Sequence, residues 1–327
     1  MVRYMFKRLL IMIPMMFGIT VVSYIIMNLA PGDAATMFID PERMHTDPEA
    51  IERVREQLGL NYPIYIRYIR WLGQLLRGNF GFSYISRQPV LREIQLRVVP
   101  TIILMLSSLT ISITVGVGVG VFCARRQYKL PDYLLSVFAM MGMSVPNFWF
   151  AMMLILLFTL TLGWLPSVGL GTVGLTGSWY VLTWDRISHM IMPVMALSLA
   201  QMGTWMRFQR ASYLDVMNQD YIRTARSKGL GEQTVAWRHA FRNASLPIVT
   251  HLGEVLPLLV SGSFVIENVF GLPGLGRLGI HAITGRDYPV AMGVLIFTSL
   301  LVMVGILISD LLYVFIDPRI KYETPSN

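Results

Sequence analysis

Apolar residues run along this chain in long, nearly unbroken stretches rather than in the short alternations of a soluble fold. A helix needs roughly 20 mostly apolar residues to cross a bilayer. Six segments reach that length: 9–29, 98–123, 133–162, 187–206, 246–266 and 290–316. Arg3, Lys7 and Arg8 precede the first, as they would a signal peptide. Its apolar run exceeds the usual h-region of about 7–15 residues, and no small-x-small cleavage site follows. It leads instead into Ala30-Pro31-Gly32-Asp33 and is read as a retained helix. The third segment is too long for a straight crossing: about 45 Å of helix against a core of roughly 30 Å. Ser144-Val145-Pro146-Asn147 lies near its middle. Proline removes a helical hydrogen bond and clashes with the preceding turn, so a break or kink is expected. Two readings stay open there. One is an ordinary tilted, kinked helix; the other is freed backbone at Pro146 with the Asn147 amide facing a cavity, where irregular backbone is tolerated.

Between the first two spans, 31–97 reads as an ordered helical insert. Asp47-Pro48 has the form of an N-cap followed by proline at the first helical position. Ile51, Val54 and Leu58 recur at helical spacing and Gly59 is placed to end that helix. Tyr65, Tyr68, Ile69, Leu72 and Leu76 mark a second helix, ending near Gly78. Asn79 to Ser83 reads as a turn-rich return, and 89–97 as a third helix leading into the second span. An insert of this size without cysteine is marginal alone, so it should pack on the membrane core. It serves either as a contact for delivered substrate or a binding protein, or as scaffolding. The organisation is thus 1–30, an N-terminus and first span; 31–97, the insert; 98–316, a core of five spans containing the 218–245 loop; and 317–327, a tail.

Composition agrees with a membrane protein. Of 327 residues 54% are hydrophobic and 14% charged, where a soluble domain carries about 25% charge. The net charge is 27 − 19 = +8, which suits either nucleic acid or cationic cytoplasmic loops. Its placement decides. With the N-terminus inside, Arg3, Lys7, Arg8, Arg125, Arg126, Lys129, Arg207, Arg210, Arg223, Arg226, Lys228, Arg238, Arg242, Arg319 and Lys321 all fall on the cytoplasmic side. Six spans with both termini cytoplasmic satisfy the positive-inside rule, and no nucleic-acid partner is needed to explain the charge.

Little else points to chemistry held by this chain. Cys123 is a lone cysteine, and the five histidines lie in different segments without a ligand-spaced pair, so no metal site is expected. The methionines lie mostly within spans, as apolar filler. No Gly-x-Ser-x-Gly elbow is present, and a catalytic role is not expected. Glu254 lies about two turns into the fifth span and Glu267 at its outer end. Ionisable groups in spans face the bundle interior or a water-filled cavity. Both are pathway or gate candidates beside Pro146 and Asn147, a buried structural pair being the alternative for Glu254.

The most informative stretch is Asp220-Tyr221-Ile222-Arg223-Thr224-Ala225-Arg226-Ser227-Lys228-Gly229-Leu230-Gly231, continuing to His239-Ala240-Phe241-Arg242-Asn243-Ala244-Ser245-Leu246-Pro247. Gly229 and Gly231 bracket a helix stop before a short second helix. There, at regular helical spacing, Trp237, Ala240, Phe241 and Ala244 share one face, with Arg238 and Arg242 pointing elsewhere. Such a helix is either a rigid body that can be pushed or a basic helix lying on lipid.

This stretch resembles the cytoplasmic EAA loop of ATP-binding-cassette importer permeases, and more narrowly the oligopeptide/dipeptide/nickel branch. Further runs agree across essentially the whole chain: Leu29 to Asp33, Ser144 to Trp149, Phe270 to Gly276, Arg286 to Pro289, Asp310 to Tyr313 and Asp317 to Ile320. Arg223 and Thr224 stand where the general pattern has Glu and Ala, and Arg242-Asn243 precede Leu246-Pro247; both departures fit the peptide branch. The resemblance implies an all-α integral membrane protein: a type I importer permease of six transmembrane helices with a helical extracytoplasmic insert. It implies a homologous second permease, two cytoplasmic ATPase subunits carrying ATP and magnesium, and an extracytoplasmic solute-binding protein, in a bacterial or archaeal cell membrane. Asp220, Ala225, Gly229, Leu230, Trp237, Arg238, His239, Phe241, Arg242 and Asn243 are then the ATPase-coupling residues. The division of labour fits the sequence. A P-loop needs Gly-Lys after its glycine-rich turn, and none of Lys7, Lys129, Lys228 and Lys321 follows glycine. Peptide is the expected cargo, with nickel or oligosaccharide as alternatives within the family. A stand-alone secondary transporter would show inverted repeats, and none is seen.

Overall fold

The structure, a computed structural model, describes residues 2–29, 48–57 and 59–316. The expectations for Asp47, Leu58, the Ala30–Asp33 run and the 317–327 tail lie outside the described residues. Twelve helices occur among them: α1 Val2–Leu29, α2 Pro48–Gln57, α3 Ile64–Leu76, α4 Val90–Arg125, α5 Leu130–Ser144, α6 (147–161), α7 Trp179–Met217, α8 Asp220–Ser227, α9 (232–244), α10 Leu246–Val269, α11 Leu275–Thr284 and α12 Tyr288–Ile316. The only strand pairing among described residues is an isolated antiparallel bridge between Phe82 and Pro89.

Four helical stretches are each long and apolar enough to cross a bilayer: Met5–Leu29, Val90–Arg125, Leu246–Val269 and Tyr288–Leu312. The third expected span is a bent pair. α5 stops at Ser144, Val145 and Pro146 are extended, and α6 starts at Asn147 after a turn of 104°. Residues preceding proline avoid the α region and proline cannot donate, so two extended residues in a row open the helix completely. The merely kinked helix is therefore not what forms. The fourth expected span, 187–206, lies inside the 39-residue α7. His189, Gln201 and several small residues make it less apolar than the others, and it is also the helix with most neighbours.

The chain divides into two units. The first comprises Met1–Thr101 with Pro273–Met303. Here the insert helices form as expected, with Gly59 at φ +66° and Gly78 at φ +79° ending α2 and α3. The expected third insert helix and second span are instead one 36-residue helix, α4, which continues through Pro100. Thr101 Oγ1 accepts from the Leu275 amide at 2.8 Å and donates to the Arg97 carbonyl at 3.4 Å, tying α4 to α11 at that point. The turn after Phe80 is pinned on Asp287. Ser83 Oγ donates to its carboxylate, as do the amides of Tyr84 at 3.1 Å and Ile85 at 3.3 Å. Val90 and Ile94 are fully buried, and a Cβ on Gly293 would collide with both. The insert thus packs on the start of α12, as its small size requires.

The second unit comprises Ile102–Leu272 with Val304–Asn327, and α7 is its axis. Met192, Leu197 and Trp205 on α7 are buried with Leu104, Leu259 and Ile266. Gly116 and Gly120 of α4 sit directly on α7. A Cβ at Gly116 would meet the Met202 carbonyl oxygen at 2.7 Å, and one at Gly120 the Met206 oxygen at 2.7 Å. Small residues four apart let helix backbones approach in this way. On another side Gly203 of α7 lies against the Ala139 carbonyl of α5.

Candidate functional site

α7 hands the chain to α8 through Asn218 and Gln219. Ile222 and Ala225, the apolar i,i+3 pair of an otherwise polar octamer, are buried against Tyr213, Val235, Ala240 and Ala244. The remaining α8 surface is exposed, including Asp220, Tyr221 (43%), Arg223 and Thr224. The helix ends in a Schellman arrangement. The Gly229 amide donates to the Arg226 carbonyl at 2.9 Å and the Leu230 amide to the Ala225 carbonyl at 3.4 Å. This geometry needs a left-handed residue after the cap, and Gly229 has φ +76°. Leu230 is left at the surface, 39% exposed. Arg226 then grips Glu232 across the turn, Nε to Oε1 at 2.8 Å and Nη2 to Oε2 at 3.3 Å.

α9 is where the spacing argument departs from the structure. Val235–Phe241 is wound as a π-helix between the short helical pieces Glu232–Thr234 and Arg242–Ala244. The wider turn changes which residues share a face: Val235, Ala236, Ala240 and Ala244 are buried. Phe241 is half-buried against the unit's own core, touching both its clusters. Trp237 is 51% exposed, with its ring centroid 5.3 Å from that of Phe241. The expected common face of Trp237, Ala240, Phe241 and Ala244 is thus split. Arg238, Arg242 and Asn243 are exposed, His239 is half-buried, and Asn243 Nδ2 donates to the His239 carbonyl at 2.9 Å. Two short helices, with apolar sides held in the unit, together present Asp220, Tyr221, Arg223, Leu230, Trp237 and Arg238. Tyr221 was not singled out from sequence, although its place beside the buried Ile222 signals it.

The pathway candidates separate. Pro146 is exposed and lines an open groove of about 470 Å³ with Met141, Ser144, Val145, Phe148 and Trp149. Asn147 is half-buried, and its Nδ2 lies 3.7 Å from where a Cβ on Gly262 of α10 would stand. The Glu254 side chain is 72% exposed, and one oxygen lies 2.8 Å from His251 Nδ1 on the same helix. His251 in turn stacks on Phe208 at 4.0 Å between centroids. This is not a buried pair. Glu267 is 1% exposed, buried in the packing of its unit, unlike Glu254. Burial inside α10's own packing was invisible in a linear hydropathy pattern. Among the described residues no three of His, Cys, Asp and Glu stand close enough to hold a metal ion.

The α8–α9 surface lies between two long helices, α7 and α10, within one unit. Residues 116–322 match the family model described as the binding-protein-dependent transport system inner membrane component. Residues 1–105 match the corresponding N-terminal model. The chain belongs to that family. It is a multi-pass membrane permease component. It is 41% identical over 323 residues to the oligopeptide transport system permease protein AppB of Bacillus subtilis, covering 98% of this chain and 100% of that protein. It is 38% identical over 323 residues to the glutathione transport system permease protein GsiC of Escherichia coli, covering 99% and 100% respectively. The α8–α9 surface and the broken α5–α6 pair both fall inside the permease region matched at 116–322.

Proposed function

We propose that this permease forms, with a homologous second permease, the pathway of an ATP-driven importer for peptides. An extracytoplasmic solute-binding protein delivers the cargo, and two cytoplasmic ATPase subunits hold ATP and magnesium. The chain lies in the inner membrane with both termini cytoplasmic and the 31–97 insert outside. It performs no catalysis itself. The observation that carries this reading is the α8–α9 surface: Ile222, Ala225, Val235 and Ala240 fasten it to the unit beneath, so a push on its exposed residues moves α7 rather than bending a loop. Tyr221, Leu230 and Trp237 are the apolar contacts offered to the ATPase. Asp220, Arg223, Arg238, Arg242 and Asn243 form the rim, and Ala225, Gly229, His239 and Phe241 hold the shape. Large aromatic anchors dominate interfaces of this kind. Pro146, Asn147 and Glu254 are proposed to face the pathway; a carboxylate left in hydrocarbon is costly, so Glu254 is placed toward water or the second permease. The peptide assignment is supported by the full-length similarity to AppB and GsiC.

The test is reconstitution. The purified chain alone in liposomes should neither hydrolyse ATP nor move peptide; with its second permease, ATPases and binding protein it should do both. ATP hydrolysis by the pure chain would sink the division of labour. Uptake of nickel or oligosaccharide in place of peptide by the full assembly would reassign the cargo alone.

A further inference from the structure

Within the first unit, the Leu29 end of α1, α3, the turn near 80–87 and the start of α12 enclose an open cavity of about 1280 Å³. Its wall is cationic and aromatic. Arg67, Arg70 and Arg87 line it with no carboxylate at salt-bridge distance among the described residues. Glu56 is the one carboxylate among the described lining residues. The Arg70 guanidinium lies over the Tyr62 ring, 4.0 Å from its centroid. Tyr24 and Trp71 form an aromatic side, their rings 5.4 Å apart. Arg67 Nε is buried and has no hydrogen-bond partner among the described residues. A buried donor on a charged group is expensive to leave unmade. The guanidinium donors of this cavity suit an anion.

Its position says which anion. α3 does not stand clear of the membrane helix. Tyr68 Oη is 2.9 Å from Thr20 Oγ1, its ring packs on Phe17 at 6.3 Å, and Trp71 meets Tyr24. Phe17 to Tyr24 lie about 8–18 Å below the Leu29 end of α1 at 1.5 Å per residue. That is the depth of one leaflet of a core roughly 30 Å thick. Away from α1, Tyr65, Ile69 and Leu76 form an exposed stripe at i, i+4 and i+11. At 100° per residue, Arg67 and Arg70 fall on the opposite side of that helix. An apolar stripe with cations opposite is the pattern of a helix lying in the membrane interface. The cavity itself is lined on α1 by Tyr24, Met27 and Asn28, about 2–8 Å from the Leu29 end at 1.5 Å per residue, so it opens near headgroup depth, beside lipid.

We propose that this cavity binds the phosphodiester headgroup of an anionic phospholipid. Arg67 and Arg70 take the phosphate oxygens, for which the planar guanidinium fork is suited. Tyr24, Tyr62 and Trp71 pack against the glycerol region. The proposal rests on α1 crossing the membrane and is independent of the cargo, so it can fail while the transport reading stands.

The experiment uses the full-length chain in its purified, delipidated complex, titrated by native mass spectrometry. The probes are phosphatidylglycerol, phosphatidylcholine, sodium phosphate and trialanine. One phosphatidylglycerol should bind per chain, more tightly than phosphatidylcholine. The R67Q/R70Q variant should weaken it at least tenfold, and R92Q, whose arginine lies outside the cavity lining, should leave it unchanged. Should the double variant fail to assemble, R67K and R70K are read instead and should each cost threefold or more, since ammonium loses the fork. Parent-like binding by these variants would overturn the proposal. So would trialanine or inorganic phosphate binding with the same arginine dependence while phosphatidylglycerol does not.

Discussion

Asp132 and Arg210 stand 78 positions apart in sequence and meet as a two-pronged ion pair, Nε to Oδ1 and Nη2 to Oδ2, both at 2.7 Å. The Asp132 side chain is almost wholly buried and also accepts from the Tyr128 amide at 3.0 Å. The pair joins the start of α5 to α7 near the end from which α7 leads into α8. It thereby holds the base on which the α8–α9 surface rests.

Removing Arg210 leaves the buried Asp132 carboxylate uncompensated, which typically costs about 3–5 kcal/mol. Arg210→Gln should lower the thermal midpoint of the detergent-solubilised chain by an amount corresponding to about 3 kcal/mol. Asp132→Asn should lower it by less, because the Arg210 side chain is 27% exposed and can turn to water. The double variant should recover part of that loss. Additive losses in the double-mutant cycle would show that the two residues act separately.

Glycines 116 and 118 make a matched pair of probes. A side chain at Gly116 strikes α7 backbone, which cannot move aside, whereas around Gly118 nothing lies within 4 Å. Gly116→Val should destabilise by about 1–3 kcal/mol through overpacking. Gly118→Val should stay within about 0.5 kcal/mol, as surface changes usually do. Fluorescence-detected size exclusion after a heat ramp separates the two. Equal midpoints would contradict the close α4–α7 approach.

On the α8–α9 surface proposed to meet the ATPase, fold and contact roles should come apart. Phe241→Ala removes a half-buried ring from the core and should cost about 2–3 kcal/mol of stability, below the full-burial range. Leu230→Asp and Trp237→Ala should leave stability nearly unchanged while reducing retention of ATPase subunits on purification. Gly229→Val fits sterically but strains a left-handed position by about 1–2 kcal/mol. It should lower peptide moved per ATP hydrolysed, with Gly229→Asn milder. Retention unaffected by both Leu230→Asp and Trp237→Ala would make the surface a bystander.

Tyr84, in the insert turn, supplies a pH signature. Burial, and then the nearby Asp287 carboxylate, push its phenol up to about 12. Near the ordinary value of 10 the unfolded chain loses this proton while the folded chain keeps it, so folded binds more protons than unfolded. Stability conferred by the neutral phenol is therefore complete below pH 10 and is lost as pH rises toward 12. Parent protein should show a falling thermal midpoint across that window, and Tyr84→Phe a flatter one. Ultraviolet titration should also find one tyrosine ionising late. Identical slopes would refute this environment for Tyr84.

Several features were legible along the chain. The apolar runs behind α1, α4, α10 and α12, the interruption at Ser144–Asn147 and the left-handed stop at Gly229 are local properties. Run length, the missing proline donor and the absent Cβ act over a few neighbouring residues, and those neighbours are present in any window of sequence. Even there the size of the effect was not. Proline at 146 turns its helix by 104°, while proline at 100 leaves a 36-residue helix unbroken.

What the tertiary structure alone decided is which apolar residue meets protein and which is left outside. In a membrane chain both environments favour the same side chains, because lipid tails are as apolar as a core; the 3.6-residue contrast that orients a soluble helix fades. Nothing local marks α7 as the axis, sets Gly116 rather than Gly118 on it, or buries Glu267 while exposing Glu254. The Asp132–Arg210 pair depends on two segments meeting in space. With 235–241 wound as a π-helix, Trp237 is exposed and Phe241 half in the core. Ala240 and Ala244 pack with Tyr213 and Ile222, and the Tyr213 hydroxyl donates to the Ala236 carbonyl at 3.4 Å. Spacing predicts faces only once the winding is known, and packing against the rest of the chain sets the winding.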